Sequence, residues 1–405
     1  MLYQIHELQR AILEPWRLLA ELGAGAYASP FSPLAYVPSS NKYAAGFELM
    51  LRVTQRYGKP QFGIETVLVG KQEVAVREEV AIDNPFCRLL HFVKPAVKNQ
   101  PRVLVVAPLS GHFSTLLRDT VRTMLSDHEV FITDWKDSRE IPFNQGPFHF
   151  DDYVAYVQDF VRAIGPGTHV ISVCQPTVPV LAAVSLLAQQ SDPCLPNTMT
   201  MMGGPIDTRK SPTKVNTFAK EHPIAWFEQN VIERVPNKYP GAMRRVYPGF
   251  LQWAGFVAMN PDRHADSHWD FYKHLVKGDG ESADAHKRFY DEYNAVMDLP
   301  AEYYLDTVRM VFQEHALPMG TMKVAGELVS PEKIRKTSLF TIEGELDDIS
   351  GFGQTEAAHA LCTGIPEAQK QHFLAKGVGH YGIFSGRKYR EMIYPLIREF
   401  IRKHD

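Results

Sequence analysis

Between Arg102 and Ile206 four strand patterns alternate with three helix patterns, and few architectures satisfy that alternation. RVLVVAPL is a continuous β-branched run, the pattern of a strand buried on both faces. A helix-like segment follows, STLLRDTVRTMLSD, and then EVFITDW, a second buried strand. FDDYVAYVQDFVRAIG has the spacing of an amphipathic helix, GTHVISVC reads as a third strand, QPTVPVLAAVSLLAQQ as a helix and TMTMMGGPI as a fourth strand. Strands and helices alternating at this spacing predict a parallel sheet built from βαβ units. Near Pro205 the alternation stops. Residues 206–335 are helix-prone, aromatic and irregular, as in HPIAWFEQNVIERV, YPGFLQWAGFVAMN and HWDFYKHLVKG. It resumes with KTSLFTIEGELD, a helix through TEAAHALCTGI, the strand QKQHFLAKGVGH and the helix REMIYPLIREFIRKH. The pattern therefore predicts three parts. Residues 1–205 form an N-terminal extension and the first part of an α/β core, 206–335 a mainly helical cap, and 336–405 the second part of the core.

Upstream of the core, FGIETVLVGKQEVAVREEVAI alternates apolar and polar residues and predicts two antiparallel strands, while residues 24–61 look irregular at their start. The N-terminal segment carries Leu2, Ile5, Leu8, Ile12, Trp16, Leu19 and Leu22 at roughly helical spacing. It is either a helix packed on the domain or a helix whose apolar face meets a lipid or polymer surface. Glu7, Arg10, Glu14 and Arg17 interrupt it, so neither a signal peptide nor a spanning helix is expected. A net charge of −3 argues against a nucleic-acid partner, which needs a basic excess to neutralise phosphates. The four cysteines, Cys87, Cys174, Cys194 and Cys362, are far apart and form no CxxC pair. They suggest neither zinc nor a disulfide framework, and free thiols fit a reducing cytoplasm.

Cys174, in SVCQP, falls directly after a buried strand and directly before a helix. Such a strand–turn–helix exposes a nucleophile at the carboxyl edge of a sheet, and the helix start lends N–H groups and a positive dipole end that favour a thiolate. The usual elbow is G-x-S-x-G, and here Ser172 and Pro176 replace both glycines, so a buried structural cysteine is the competing reading of the motif alone. The downstream residues favour the nucleophile. GELDD follows a strand and carries Asp347, with Asp348 as its rival; KGVGHYG follows the last strand and carries His380. The order nucleophile, acid, histidine is that of an α/β-hydrolase, a mostly parallel sheet flanked by helices, here with the inserted helical cap in the first gap. His372, inside the last strand, reads as structural.

An oxyanion needs two donors. The backbone N–H of Gln175 is the first; the second comes from PLSGHF, through Ser110 or, failing that, Gly111. Gly111 also lets the backbone approach a substrate, and His112 belongs to the loop wall. Asp207, at the end of a core strand, either lines the site or makes a salt bridge at the cap junction. Trp226, Trp253, Trp269, Tyr303 and Tyr304 either wall a polymer groove or form an ordinary helical core. No phosphate-binding glycine loop or metal cluster appears in the sequence, so neither a bound cofactor nor a metal is expected.

Nearly the whole chain resembles the intracellular polyhydroxybutyrate (polyhydroxyalkanoate) depolymerases. The strings that carry the likeness are MLYQIHELQRA, VAPLSGHFSTLLRDTV, FITDWKDSREIP, SVCQPTVP, MMGGPIDTR, TIEGELDDISG and KGVGHYGIFSGRKYREMIYP. The resemblance implies a cysteine-nucleophile α/β-hydrolase with Cys174, Asp347 and His380 as nucleophile, acid and base. It further implies a carboxylic ester hydrolase acting on a short-chain 3-hydroxyacyl polyester, at the surface of cytoplasmic storage granules. The acyl group would leave to water or to coenzyme A, the latter as acceptor and not as bound cofactor. Related readings are a polyester synthase, from whose G-x-C-x-G elbow the chain departs at Ser172 and Pro176, a small-molecule thioesterase, and a catalytically inactive granule-binding protein.

Overall fold

The β-branched runs pair into one eight-stranded sheet in the computed structural model, which describes residues 2–259 and 261–405. Its strands are β1 (Arg77–Asp83), β2 (Cys87–Val93), β3 (Arg102–Val106), β4 (Glu129–Trp135), β5 (Thr168–Val173), β6 (Thr198–Met202), β7 (Ser338–Gly344) and β8 (Lys370–Ala375). They lie in the order β1-β2-β4-β3-β5-β6-β7-β8. Strand β2 runs antiparallel to both of its neighbours, and all pairs from β4 to β8 are parallel. Every residue of β5, β6 and β7 is buried, which is why these runs read as continuously apolar and not as alternating. This is an α/β-hydrolase fold.

Helices α1 (Leu2–Ala28) and α2 (Ser40–Thr54) precede the sheet. Helices α3 (Arg118–Met124), α4 (Phe150–Ile164) and α5 (Thr177–Gln189) cross between its strands. Helix α5 is buried on nearly every side, consistent with its run of Val, Leu and Ala. Between β6 and β7 the chain forms α6 (Lys214–Glu221), α7 (Ile224–Asn230), α8 (Gly249–Met259), α9 (Pro261–Lys277), α10 (Gly280–Tyr293) and α11 (Ala301–Thr307). A small antiparallel sheet, formed by Glu233–Arg234, Arg245–Tyr247 and Leu299–Pro300, ties this segment together. The final helix, α12 (Tyr394–His404), packs Phe400 against Phe340 of β7.

Three elements differ from the sequence expectation. The stretch 62–82 forms a hairpin of Thr66–Val69 with Gln72–Ala75 and then β1, three strands in place of two, because the chain breaks at Val76 before joining the main sheet. Strand β2 had no expectation; CRLLHFV places His91 and Arg88 among its apolar residues, and only its position between β1 and β4 buries the others. The stretch 24–61 contains α2, whose Gly46 and polar residues weaken its periodicity. Its order comes from packing on α1, where a side chain at Gly23 would collide with the Phe47 ring.

The N-terminal hairpin rests on the segment between β6 and β7. Asn41 donates to the Val276 carbonyl at 2.9 Å, Arg52 pairs with Asp291 at 2.7 Å and Lys287 with Glu48 at 2.9 Å. At the start of α1, the Tyr3 hydroxyl donates to Asp298 Oδ2 at 2.7 Å. Asp298 is buried beside Asp137, which accepts from the Asp298 and Arg139 N–H groups and pairs with the Arg139 guanidinium at 3.0 Å. Burial and the Asp298 charge push Asp137 up to about 7 from 3.8. A carboxyl raised on folding adds stability below its unfolded pKa and loses that contribution as pH rises through its folded one. The melting temperature of Asp137→Asn, relative to wild type, is therefore expected to move in the variant's favour between pH 4 and pH 8, as scanning calorimetry would record.

Candidate active site

Strand β5 delivers Cys174 to the carboxyl edge of the sheet. Its backbone adopts φ +67°, the left-handed region that a non-glycine residue enters only under constraint. The constraint is visible: Cys174 N–H donates to the Met202 carbonyl of β6 at 2.7 Å, and its own carbonyl accepts from Thr177 N–H at 3.2 Å as α5 begins. The sulfur thus sits at a sharp strand-to-helix turn with the α5 N-terminus behind it.

The room that this turn needs comes from the neighbouring strand. Past β6, a side chain at Gly204 would lie 1.9 Å from Thr177 Oγ1, and one at Gly203 would lie 2.4 Å from Ile383 Cδ1 and 3.4 Å from the His380 ring. Gly203 also has φ +57°. The two glycines stand where the missing elbow glycines would have given clearance. Because α5 is buried and cannot retreat, Gly204→Ala is expected to cost about 1–3 kcal/mol, measured by denaturant unfolding.

Strand β7 ends at Gly344, and the turn after it carries Asp347. Asp347 Oδ1 accepts from the N–H groups of Ile349 at 2.9 Å and Ser350 at 2.8 Å, and Oδ2 lies 2.7 Å from His380 Nδ1. Both side chains are buried. The buried Glu343 anchors the following loop by accepting from Gly353, Thr355 and Glu356 N–H at 2.8, 2.7 and 3.0 Å. The Cys174 sulfur lies near the ring as well, close enough to act on its charge. Burial opposes a charge on its ring, but the charges of Cys174 and Asp347 outweigh that and hold its pKa well above the ordinary histidine value. The structure therefore brings Cys174, His380 and Asp347 together, with His380 bonded to Asp347 and able to hold a proton beside the sulfur. His372 sits apart, bonded to Thr341 at 2.9 Å.

The N–H groups of Gln175 and Ser110 donate to no hydrogen bond among the described residues, and both residues line the cavity above the sulfur. The Gln175 side chain joins two walls: its carbonyl accepts from Leu109 N–H at 3.3 Å, and its amide hydrogen-bonds the Tyr303 hydroxyl of α11. His112 lines the same cavity, held by the Tyr293 carbonyl at 3.1 Å and stacked on Phe256. Burial lowers its pKa to about 4, so it stays neutral.

Two expected lining residues lie elsewhere. Gly111, at φ +116°, faces Gln252, whose Oε1 would be 2.4 Å from an added Cβ; its freedom admits the Gln252 side chain. Asp207 forks with Arg209 of its own turn, both contacts at 2.8 Å, and this ion pair holds it off the cavity wall. Of the five aromatics considered from sequence, Tyr303 and Tyr304 line the cavity while Trp226, Trp253 and Trp269 do not. Phe218, Phe227, Tyr247, Phe256 and Phe312 take their place. Nothing in the sequence separates these from other aromatics, because facing the cavity depends on how the helices cross.

The cavity is about 620 Å³, and its walls come from both the sheet edge and the segment between β6 and β7. Comparison with known proteins gives a family match: the model described as "PHB de-polymerase C-terminus" fits residues 203–405. None of the curated proteins matches the chain. Among solved structures, the chain is similar to a monoacylglycerol lipase from Paleococcus ferrophilus, with 12% identity, 76% of this chain and 97% of that one covered, and a TM-score of 0.45. It is similar also to 2-hydroxy-6-oxo-6-phenylhexa-2,4-dienoate hydrolase from a Rhodococcus species (11%, 81% and 99%, 0.43). A third is a thermophilic esterase from Thermogutta terrifontis (13%, 84% and 98%, 0.41). With half of its length matched by the family model, and with its sheet and helices arranged as described, the chain belongs to the PHB de-polymerase family of α/β-hydrolases acting on esters.

Proposed function

We propose that the chain is a depolymerase that cleaves the ester bonds of poly(3-hydroxybutyrate) or a related short-chain polyhydroxyalkanoate through an acyl-enzyme on Cys174. The observation that carries this reading is the Cys174–His380–Asp347 row under an apolar cavity, in a chain of this family. A polyester of methyl-branched units is largely apolar, and a cavity walled by Phe and Tyr rings desolvates it well.

His380 takes the proton of the Cys174 thiol, the sulfur attacks the ester carbonyl carbon, and the π electron pair moves onto oxygen. The N–H groups of Gln175 and Ser110 serve as donors to that oxyanion. Collapse re-forms the carbonyl and breaks the bond to the alkoxide, which takes the proton from His380. A 3-hydroxyacyl thioester remains. His380 then draws a proton from water, or from the thiol of coenzyme A. The incoming oxygen or sulfur attacks the thioester carbon, and the C–S pair returns to Cys174. Asp347 orients the imidazole and balances its charge throughout. No bound cofactor or metal enters these steps. Feeding amorphous polymer to the enzyme and examining the quenched protein by intact mass spectrometry tests the reading: Cys174 is expected to carry whole 3-hydroxyacyl units. Soluble 3-hydroxy acid or oligomer and, when coenzyme A is supplied, a hydroxyacyl coenzyme A ester are the expected products. An unmodified thiol during turnover would overturn it, and chain growth from 3-hydroxybutyryl-CoA would point to a synthase.

In this reading residues 206–335 are the cap over the site, and the enzyme works on polyester granules in the cytoplasm. Helix α1 supports the granule part, since Leu8, Ile12, Trp16 and Leu22 are exposed on it, and no helix among the described residues is long and apolar enough to cross a membrane. Substituting Leu8, Ile12 and Trp16 with glutamate is expected to lower the ratio of granule to soluble-oligomer turnover by about tenfold, from the apolar area removed. An unchanged ratio would take α1 out of granule attachment.

A further inference from the structure

Lys214 stands exposed at the edge of a largely apolar cavity. Among the described residues the wall contains no aspartate, glutamate or arginine, and Lys214, the first residue of α6, is the permanently charged side chain on it. No carboxylate shares the wall with it among the described residues. Its neighbour Thr213 donates to the Ile349 carbonyl at 3.2 Å, which sets the start of α6 against the loop that carries the triad's aspartate. Ile349 and Ser350 line the cavity beside it, and the Ser350 hydroxyl is buried without a partner among the described residues. An ammonium with no carboxylate beside it, at the edge of a largely apolar wall, offers a counter-charge to a small anion.

The chemistry of a hydroxyacyl polyester supplies one such anion. Each chain has a hydroxyl end and a carboxylate end. Whichever ester is attacked, the acyl half retained on sulfur carries the hydroxyl end, and the alkoxide half that leaves carries the carboxylate. Resting on the depolymerase reading above, we propose that Lys214 binds the terminal carboxylate of the chain. The leaving half then lies along the wall formed by α6 and Ile349–Ser350, and cleavage proceeds from the carboxyl end. In an apolar channel, van der Waals packing alone does not distinguish the two chain directions, whereas one charge at one end does.

The test compares kcat/KM for soluble 3-hydroxybutyrate oligomers bearing a free carboxylate with the same oligomers capped as methyl esters. Wild type is expected to favour the free acid by about tenfold, and hydroxyl-end-labelled oligomer is expected to release unlabelled fragments first. In Lys214→Gln that preference is expected to fall to about one, and in Lys214→Arg to remain. Equal cleavage of both oligomers by wild type overturns the assignment alone. So does a Lys214→Gln variant that slows on both substrates in parallel while keeping its preference, the mark of a structural role. Cleavage of neither oligomer by wild type removes the depolymerase reading and the assignment with it. With coenzyme A as acceptor, a raised KM for coenzyme A in Lys214→Gln, alongside an intact acid preference, would reassign the lysine to a phosphate of the acceptor and overturn the proposal.

Discussion

Cys174→Ala is expected to lower ester cleavage on the order of 10³-fold or more while leaving the protein folded. On the proposed mechanism alanine removes the attacking atom; it is also smaller than cysteine, so the turn between β5 and α5 closes around it without a clash. Melting temperature and circular dichroism check the fold, and release of 3-hydroxy acid checks the activity. Cys174→Ser is the sharper comparison. His380 holds its proton well above the ordinary histidine pKa partly because a charge at Cys174 lies beside it. A serine hydroxyl, far less acidic than a thiol, withdraws that charge and leaves the imidazole with a harder proton to remove. The serine variant is therefore expected to be feeble, and iodoacetamide is expected to inactivate wild type, with protection by oligomer. Full activity in the alanine variant would remove Cys174 from the reaction.

Asp347→Asn is expected to cost about 10³- to 10⁴-fold in kcat. An asparagine oxygen can still accept from the Ile349 and Ser350 N–H groups, so the turn survives. Its amide then faces His380 Nδ1, where the aspartate accepted at 2.7 Å. Two donors cannot share that contact, so the imidazole turns its lone pair toward residue 347 and its N–H toward Cys174, the tautomer that cannot take a thiol proton. Loss of the carboxylate also removes one of the two charges that raise His380. A histidine raised on folding stabilises the native state below its unfolded pKa, and that contribution is lost as pH rises through the folded value. The variant is expected to lack this decline, and the basic limb of its residual activity is expected to move to lower pH. Unchanged tautomer signals in nitrogen NMR of the variant, together with near-normal turnover, would sink the argument.

The parts of the candidate site that lie on local punctuation were legible in their placement. Cys174 after β5, His380 between Gly379 and the following turn, and Gln175 and Ser110 beside a strand end all follow from a buried run ending at a tight turn. Glycines and strand ends announce such turns over a few residues. Asp347 and Asp348 share one turn, and local pattern alone does not separate them. The hydrogen bonds from Ile349 and Ser350 aim Asp347 at His380. Lys214 carried no local signal, since a lysine opening a helix is ordinary until the walls around it prove apolar.

By itself the amino-acid sequence determined the sheet from β3 to β8, the break after β6 and the chain order of sulfur, carboxylate and imidazole. Strands buried on both faces must be written in continuous apolar residues, so their pattern survives without any knowledge of neighbours. Tertiary structure alone decided what depends on two distant segments meeting. It placed Gly203 and Gly204 where SVCQP lacks its glycines, and it faced Gly111 toward Gln252 and Asp207 toward Arg209. It chose Tyr303 over Trp253 for the cavity wall and seated α1 and α2 on the segment between β6 and β7. Side-chain contacts across such distances are set by helix crossing and by which volume remains unfilled, and neither leaves a period in the chain.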